Sequence, residues 1–585
     1  MVSNIPKKSE HAARRANEFI EREKEFHLGF LPTEQPHPLT RNLSSDARAS
    51  VPDAVRSILS ADAELSSVAR RAVMSPEFDR LVSVVDMAMN DGGRICFSGC
   101  GSTGRLAVIL EAMWRKNVPD PSLRDRALSI MTGGERALIR SVENFEDFAE
   151  FGARQVRDAE LGTGDILIAI SEGGETSSVI GTATEALKLG CTVFFVFNNP
   201  AHLLRSHIQR SRELIDHPDV TVIDLFSGPM ALSGSTRMQA TTLAMLVIGT
   251  AIEHTCVFGS GNTCGATAES KLANINRYTE IVHALLREDN VRAIARLSEQ
   301  EADCYQHNGL VTYFASDYLL DIFSDTTERS PTFMLPPFRP AYDDQSPAAW
   351  SFAKDPFRSA LNAWQAMLGR EPRGLDWKAA DYSQMNAPEH LISHPPFLDQ
   401  QEIYSYLIGN EEDMGRVETV QSLAVWTTVR SDAAQLCHTS KISSSYREKF
   451  GAHTYLSIGH KDGHTHSNEA EYIDIDLRIP SSGLDLFSHI AVKLIFNCFS
   501  TVSMARIGRI SSNWMIQVSP TNKKLIDRAT RIISHITGMN YRQSCTELFL
   551  ELENSATTIE RTTSPETESP VARVLRRYAA NHTEH

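Results

Sequence analysis

Five short apolar runs alternate with helical stretches between Arg94 and Leu225, and that alternation leaves few folds open to the chain. The runs Arg94–Ser98, Leu128–Met131, Ile166–Ile170, Thr192–Phe197 and Val220–Leu225 are rich in β-branched and aromatic residues. Ser102–Lys116, Ser177–Leu189 and Ser235–His254, between and after them, read as helices. Parallel strands need long crossovers, which helices supply, and strands buried on both faces read as unbroken apolar runs. The pattern therefore predicts βαβ units, hence a doubly wound α/β domain with helices on both faces of a parallel sheet. A weaker alternation follows at Val311–Ala315, Ser422–Thr428, His453–Ile458 and Tyr472–Leu477, with a long helix over Leu484–Met504. At 585 residues the chain is too long for one core, so a second such unit is expected.

The expected organisation is an arm over residues 1–40, a first α/β domain with flanking helices over 41–290, a second over 291–554, and a mobile Ser-, Thr-, Glu- and Pro-rich tail over 555–585. Two amphipathic helices fill Val51–Asn90, with Ser60-Ala-Asp between them. An insertion over 330–400, rich in Pro, Asp and aromatics, interrupts the second domain. Thr267-Ala-Glu-Ser-Lys271-Leu272 after the first unit is echoed by Thr521-Asn-Lys-Lys524-Leu525 after the second, as a duplicated unit would give. A formal charge of −15 argues against nucleic acid or an anionic membrane as partner. The nine cysteines form no CxxC pair and read as buried thiols. The N-terminus lacks the apolar core of a leader, and Leu243–Phe258 is too short to span a bilayer, so a cytoplasmic protein is expected. No metal or organic cofactor is expected.

Three loops share one chemistry. The first strand runs into Gly99-Cys-Gly101-Ser102-Thr103-Gly104 directly before a helix. Such a turn presents backbone N–H groups and a helix dipole to an anion, with hydroxyls beside them. The string also satisfies G-x-G-x-x-G, which raises a dinucleotide-binding oxidoreductase. That fingerprint needs an acid ending the second strand, but Met131-Thr-Gly-Gly stands there and Asp120 falls in a Pro-flanked loop. The third strand ends in Ser171-Glu172-Gly-Gly-Glu175-Thr176-Ser177, and Leu232-Ser-Gly-Ser235-Thr236-Arg237 follows the fifth. Hydroxyl-rich turns at the carboxyl ends of several parallel strands converge on the ligand crevice of this architecture and favour a small polyhydroxy phosphate ester.

These motifs, with Thr132-Gly-Gly-Glu135, Val142-Glu-Asn-Phe-Glu146-Asp147 and Pro38-Leu-Thr-Arg-Asn-Leu, resemble sugar isomerase (SIS) domains. Within that superfamily they are similar to N-acetylmuramic acid 6-phosphate etherases and to glucokinase regulatory proteins, which carry two SIS domains in tandem. Ser519-Pro-Thr521-Asn522-Lys-Lys524-Leu525 extends the resemblance into the second half. The resemblance implies two doubly wound, flavodoxin-like domains packed as a pseudo-dimer. It implies a hexose or amino-sugar phosphate held by Ser102, Thr103, Ser171, Thr176, Ser235, Thr236 and Arg237, with Glu146 over the ring and Asn522 and Lys524 completing the site. A sugar kinase partner is not implied by these motifs.

The chain also departs from its relatives. In the etherases the helix after the Gly-rich loop carries a catalytic glutamate, and Met113 stands in that register here. Glu111, two residues away, points about 200° around the helix. An isomerase or residual lyase would therefore have to use Glu146, and a sensing or regulatory role is expected instead. Glu172 and Glu175 replace small or hydroxylic residues, Gln239 replaces a lysine, and the second unit has Tyr313-Phe-Ala-Ser-Asp-Tyr where a Gly-rich loop would stand. One ligand site per chain is expected.

Overall fold

The structure, a computed structural model, describes residues 5–142, 145–258, 267–419, 421–460, 470–556 and 568–582. Strands β1 (Ile95–Gly99), β2 (Ala127–Met131), β3 (Ile166–Ile170), β4 (Thr192–Phe197) and β5 (Val220–Asp224) form a parallel sheet in the order β2-β1-β3-β4-β5. The first three are buried along their whole length, as their unbroken apolar sequence requires. Strands β6 (Val311–Phe314), β7 (Ser351–Lys354), β8 (Leu423–Val429), β9 (Ala452–Ile458) and β10 (Glu471–Ile475) form a second parallel sheet. Its order, β10-β9-β8-β6-β7, is the same winding read from the other edge. Both units are thus doubly wound and flavodoxin-like. β7 is the strand that the alternation did not anticipate.

A pair of helices precedes each sheet, Val51–Val73 with Pro76–Asp91 and Ala268–Leu285 with Glu288–Gln306. The first pair breaks at Ser75, whose hydroxyl caps the Phe78 N–H ahead of Pro76, and not at Ser60-Ala-Asp. Ala61 and Asp62 are buried inside the longer helix, so the core holds them in helical register. Val51–Val73, Gln239–Glu253, Glu288–Gln306 and Leu486–Arg506 pack together at the seam, and one apolar core runs through both units. Leu486–Arg506 is long and apolar enough to cross a membrane, but 94% of its apolar window is buried inside the protein.

The chain ends differ from the expected arm and tail. Helix Ile5–Arg22 packs on helix Tyr541–Ala556, and Leu31 to Thr40 are woven behind the first sheet's carboxyl edge. Within the expected tail, Pro570–His582 is a helix whose Val571 and Val574 are buried in one cluster with Ile532, Ile533 and Leu548. A short apolar stripe outweighs the polar composition around it. Among the described residues seven cysteines are free and Cys256 is disulfide-bonded, which corrects the reading of thiols throughout.

Candidate functional site

A cleft of about 240 Å³ opens where the carboxyl ends of β1 and β3 meet the second unit. The loop after β1 enters helix Ser102–Asn117 through Gly101, whose φ of +55° is readily adopted only by glycine. Gly104 lies so close to Met131 and the Gly99 carbonyl that a Cβ would collide. Helices Ser102–Asn117 and Ser177–Lys188 both begin without a side-chain cap at the cleft edge, leaving N–H groups and the positive dipole end for an anion.

Gly101, Ser102, Glu146, Thr176, Ser235, Thr236, Asn522 and Lys524 line the cleft, so the structure brings together most residues singled out in the sequence. Thr176 accepts from Ser171 at 3.1 Å, which leaves its own proton for a ligand. Ser171, fully buried, also accepts from the Gly174 N–H, and Thr103 closes the turn by bonding the Cys100 N–H and carbonyl. Both shape loops and do not line the cleft, and Ser177 is likewise absent from the lining. Arg237 is a clear correction. It is 1% exposed and points into the seam, paired with Asp325 at 2.8 Å and donating to Thr501 at 2.8 Å. The buried Asp325 carboxylate of the second unit takes its charge, so the guanidinium is not available to the cleft.

Asn522 caps helix Lys523–Thr537 through its Oδ1 and donates from Nδ2 to Glu146 at 3.3 Å. Lys524 donates to Glu175 at 2.6 Å and lies 3.8 Å from Glu146. Burial alone would weaken its hold on the proton, but Glu175, Glu146 and Glu34 raise its pKa above the ordinary lysine value. The helix is anchored by Glu34, which Arg528 and Arg531 grip at 2.6 and 2.7 Å. Burial pushes the Glu34 carboxyl up, and the two guanidiniums more than reverse that. Burial also raises Glu172, which lines the cleft, to about 8, and Asp147, next to Glu146, to about 6. Sequence reasoning missed Glu328 and Arg105 in the lining. The signal for Arg105 was its place in the first turn after the Gly-rich loop, whereas Glu328 comes from mid-helix in the second unit.

The departures have structural partners. Met113 is fully buried and absent from the lining. Glu111 is held by Arg370 through two bonds of 2.7 Å and by Ser129 at 2.6 Å. Glu135 also pairs with Arg370. Gln239 bridges the Ala231 N–H and Asp62. Asp120 caps a turn on the amino side of β2, the wrong end of the sheet for a dinucleotide ribose. Lys271 pairs with Asp79 over the Phe78 ring, inside the first unit, instead of facing the second unit's crevice. In that crevice Tyr318 precedes the helix as Gly101 does in the first unit, but with φ +54° and ψ 22° where Gly101 has φ +55° and ψ −119°, and its hydroxyl donates to Asp485. Arg430 and Ser488 bind the same carboxylate at 3.0 and 2.8 Å.

The pattern of the glucokinase regulatory protein N-terminal SIS domain matches residues 79–187. The N-acetylmuramic acid 6-phosphate etherase of Deinococcus radiodurans is 31% identical over 218 residues, covering 37% of this chain and 66% of that enzyme. The etherase of Aliivibrio fischeri is 31% identical over 236 residues, covering 39% of this chain and 73% of the enzyme. Among solved structures, tagatose-6-phosphate ketose/aldose isomerase from Escherichia coli aligns over 77% of this chain and 93% of its own, with a TM-score of 0.36 at 10% identity.

Proposed function

The chain belongs to the sugar isomerase (SIS) family that includes the N-acetylmuramic acid 6-phosphate etherases, and on that premise we propose that its cleft binds a phosphorylated sugar as a sensor, without cleaving it. The observation that carries this is the wall of hydroxyls on Ser102, Thr176, Ser235 and Thr236, set beside two uncapped helix starts and faced by Lys524. Phosphate oxygens are well served by such donors and by the N–H groups at a helix start.

Ether cleavage by elimination needs one group to take a proton and another to protonate the leaving oxygen. Met113 can do neither, and Glu111 is committed to Arg370 and Ser129. Glu146 does reach the cleft, with Asn522 and Lys524 beside it, and this favours a second reading as an isomerase or residual lyase. Incubation with N-acetylmuramic acid 6-phosphate separates the two. Binding seen by calorimetry with no lactate above background is the expected result. Lactate released at enzymatic rates and lost on Glu146→Gln would overturn the sensor reading.

A further inference from the structure

Residues 370–398 belong to the insertion that interrupts the second unit, yet their side chains close on the first. Leu375 and Leu398 pair as an antiparallel bridge, so the stretch is a closed loop with helices Ala379–Gln384 and Glu389–Ser393 inside it. Arg370 grips Glu111 and Glu135. The Glu135 carboxylate also accepts from the Arg373 N–H at 2.7 Å, while its own N–H donates to the Arg373 carbonyl at 3.2 Å. Farther along, Trp377 donates its indole N–H to Asp158 at 2.8 Å and Asp381 pairs with Arg154 at 3.1 Å, both on helix Ala149–Asp158.

These ties bracket the segment that carries Glu146. Phe145, 1% exposed, lies parallel to Trp377, with ring planes 10° apart and centroids at 6.0 Å. Phe151 meets Trp377 and Tyr382 edge to face. Val142, which lines the cleft, packs against the same cluster. Leu375 rests on Gly134, where φ is +71° and a Cβ would collide with the leucine. The first unit itself fixes the backbone here, since the Glu146 carbonyl accepts from the Ser178 N–H at 3.1 Å. Asn522 holds the tip of the Glu146 side chain at 3.3 Å. Its root is set by Phe145, because neighbouring side chains cannot be turned independently, and Phe145 is pinned by Trp377.

We infer that the insertion is the sugar-gripping jaw of the first unit's cleft, with Trp377 a positioning residue that holds Glu146 toward the ring through Phe145. This rests on the phosphosugar reading and divides the site in two. The phosphate end, with Ser102, Thr176 and Ser235, is built from the first unit's own loops and takes nothing from the insertion. The ring end depends on Glu146, and a side chain is held on target only by packed support behind it. Loosening Trp377 therefore costs grip on the sugar and spares grip on phosphate.

The test is calorimetry on the full chain with glucose 6-phosphate, fructose 6-phosphate and N-acetylglucosamine 6-phosphate, with inorganic phosphate measured by competition against the tightest of them. Trp377→Ala should lower sugar-phosphate affinity about tenfold and move inorganic phosphate by less than about twofold. Trp377→Phe, which restores a ring against Phe145, should recover most of the loss. In a Glu146→Ala background, Trp377→Ala should cost no further affinity, because both changes remove one contact. If Trp377→Ala does not fold, Trp377→Leu, which keeps apolar bulk without the flat ring, should show the same split at about threefold or more. Unchanged sugar affinity, equal losses for sugar phosphate and inorganic phosphate, or losses that add in the double variant would reduce the insertion to a packing element while sparing the phosphosugar reading. No binding of any sugar phosphate by the intact protein would sink both.

Discussion

Adjacent hydroxyls can do opposite jobs, and the loop after β1 shows it. Ser102 faces the cleft, whereas Thr103 holds the turn through the Cys100 N–H and carbonyl. Ser102→Ala should weaken sugar-phosphate binding by about 1.5–3 kcal/mol and leave the melt unchanged, because only a ligand contact is lost. Thr103→Ala should instead lower stability by about 1–3 kcal/mol, since the Cys100 N–H loses its acceptor. Calorimetry and thermal melts on the two variants separate these outcomes, and reversed effects would exchange the roles. Glu172 makes a second prediction at this scale. Its carboxyl moves from 4.5 in the unfolded chain to about 8 in the fold, so the native state binds the proton more tightly. The stability it contributes is full below about 4.5 and is lost as pH rises through about 8. Glu172→Gln should therefore gain stability relative to the unaltered chain between pH 5 and 8.5, by an amount on the order of a few kcal/mol. Asp62, raised to about 7, adds a slope of the same sign to both proteins, so the difference between denaturant melts isolates Glu172.

Among the elements, the C-terminal helices have the plainest energetic link to the site. Pro570–His582 covers Ile532 and Ile533 on the helix that delivers Lys524 and Asn522 to the cleft. Deleting residues 568–585 should expose that apolar face, lower the melt, and weaken sugar-phosphate binding through the loosened helix start, measurable by calorimetry below the new melt. Affinity unchanged with a lowered melt would show that Lys523–Thr537 stands without this cover. Composition hid this helix because Ser, Thr, Glu and Pro dominate around it, and the few apolar residues matter only once a partner surface exists. β7 was hidden for a related reason: Ser351-Phe-Ala-Lys354 is four residues long, and its lysine is 1% exposed with the ammonium on the Leu407 carbonyl. The strands of the first sheet were legible because a strand covered on both faces can hold little but apolar residues. In the site, loop hydroxyls were legible from their place between strand and helix. Arg237 was misread because the same Ser-Thr-Arg segment touches both cleft and seam, and side-chain direction within a turn has no periodicity to betray it.

Across the whole molecule the two lysines of the repeated segment test how the halves meet. Lys524 reaches Glu175 in the other unit, whereas Lys271 stays on Asp79 in its own. Lys524→Ala should destabilise by about 3–5 kcal/mol by stranding a buried carboxylate, and should weaken ligand binding as well. Combining it with Glu175→Gln should restore most of the stability without restoring affinity, which distinguishes a ligand role from a structural one. Lys271→Ala should lower the melt slightly and leave affinity alone; an equal loss of affinity from both lysines would contradict the arrangement of the seam. The matched windings of the sheets carry a further consequence. Two identical chains related by a twofold axis present every residue twice, so a change that suits one crevice is imposed on the other. Covalent fusion lifts that constraint. Gly101 keeps its turn open above one crevice, while Tyr318, ahead of the corresponding helix, commits its hydroxyl to Asp485 in the other. One half was thereby free to keep a pocket while the other became its wall.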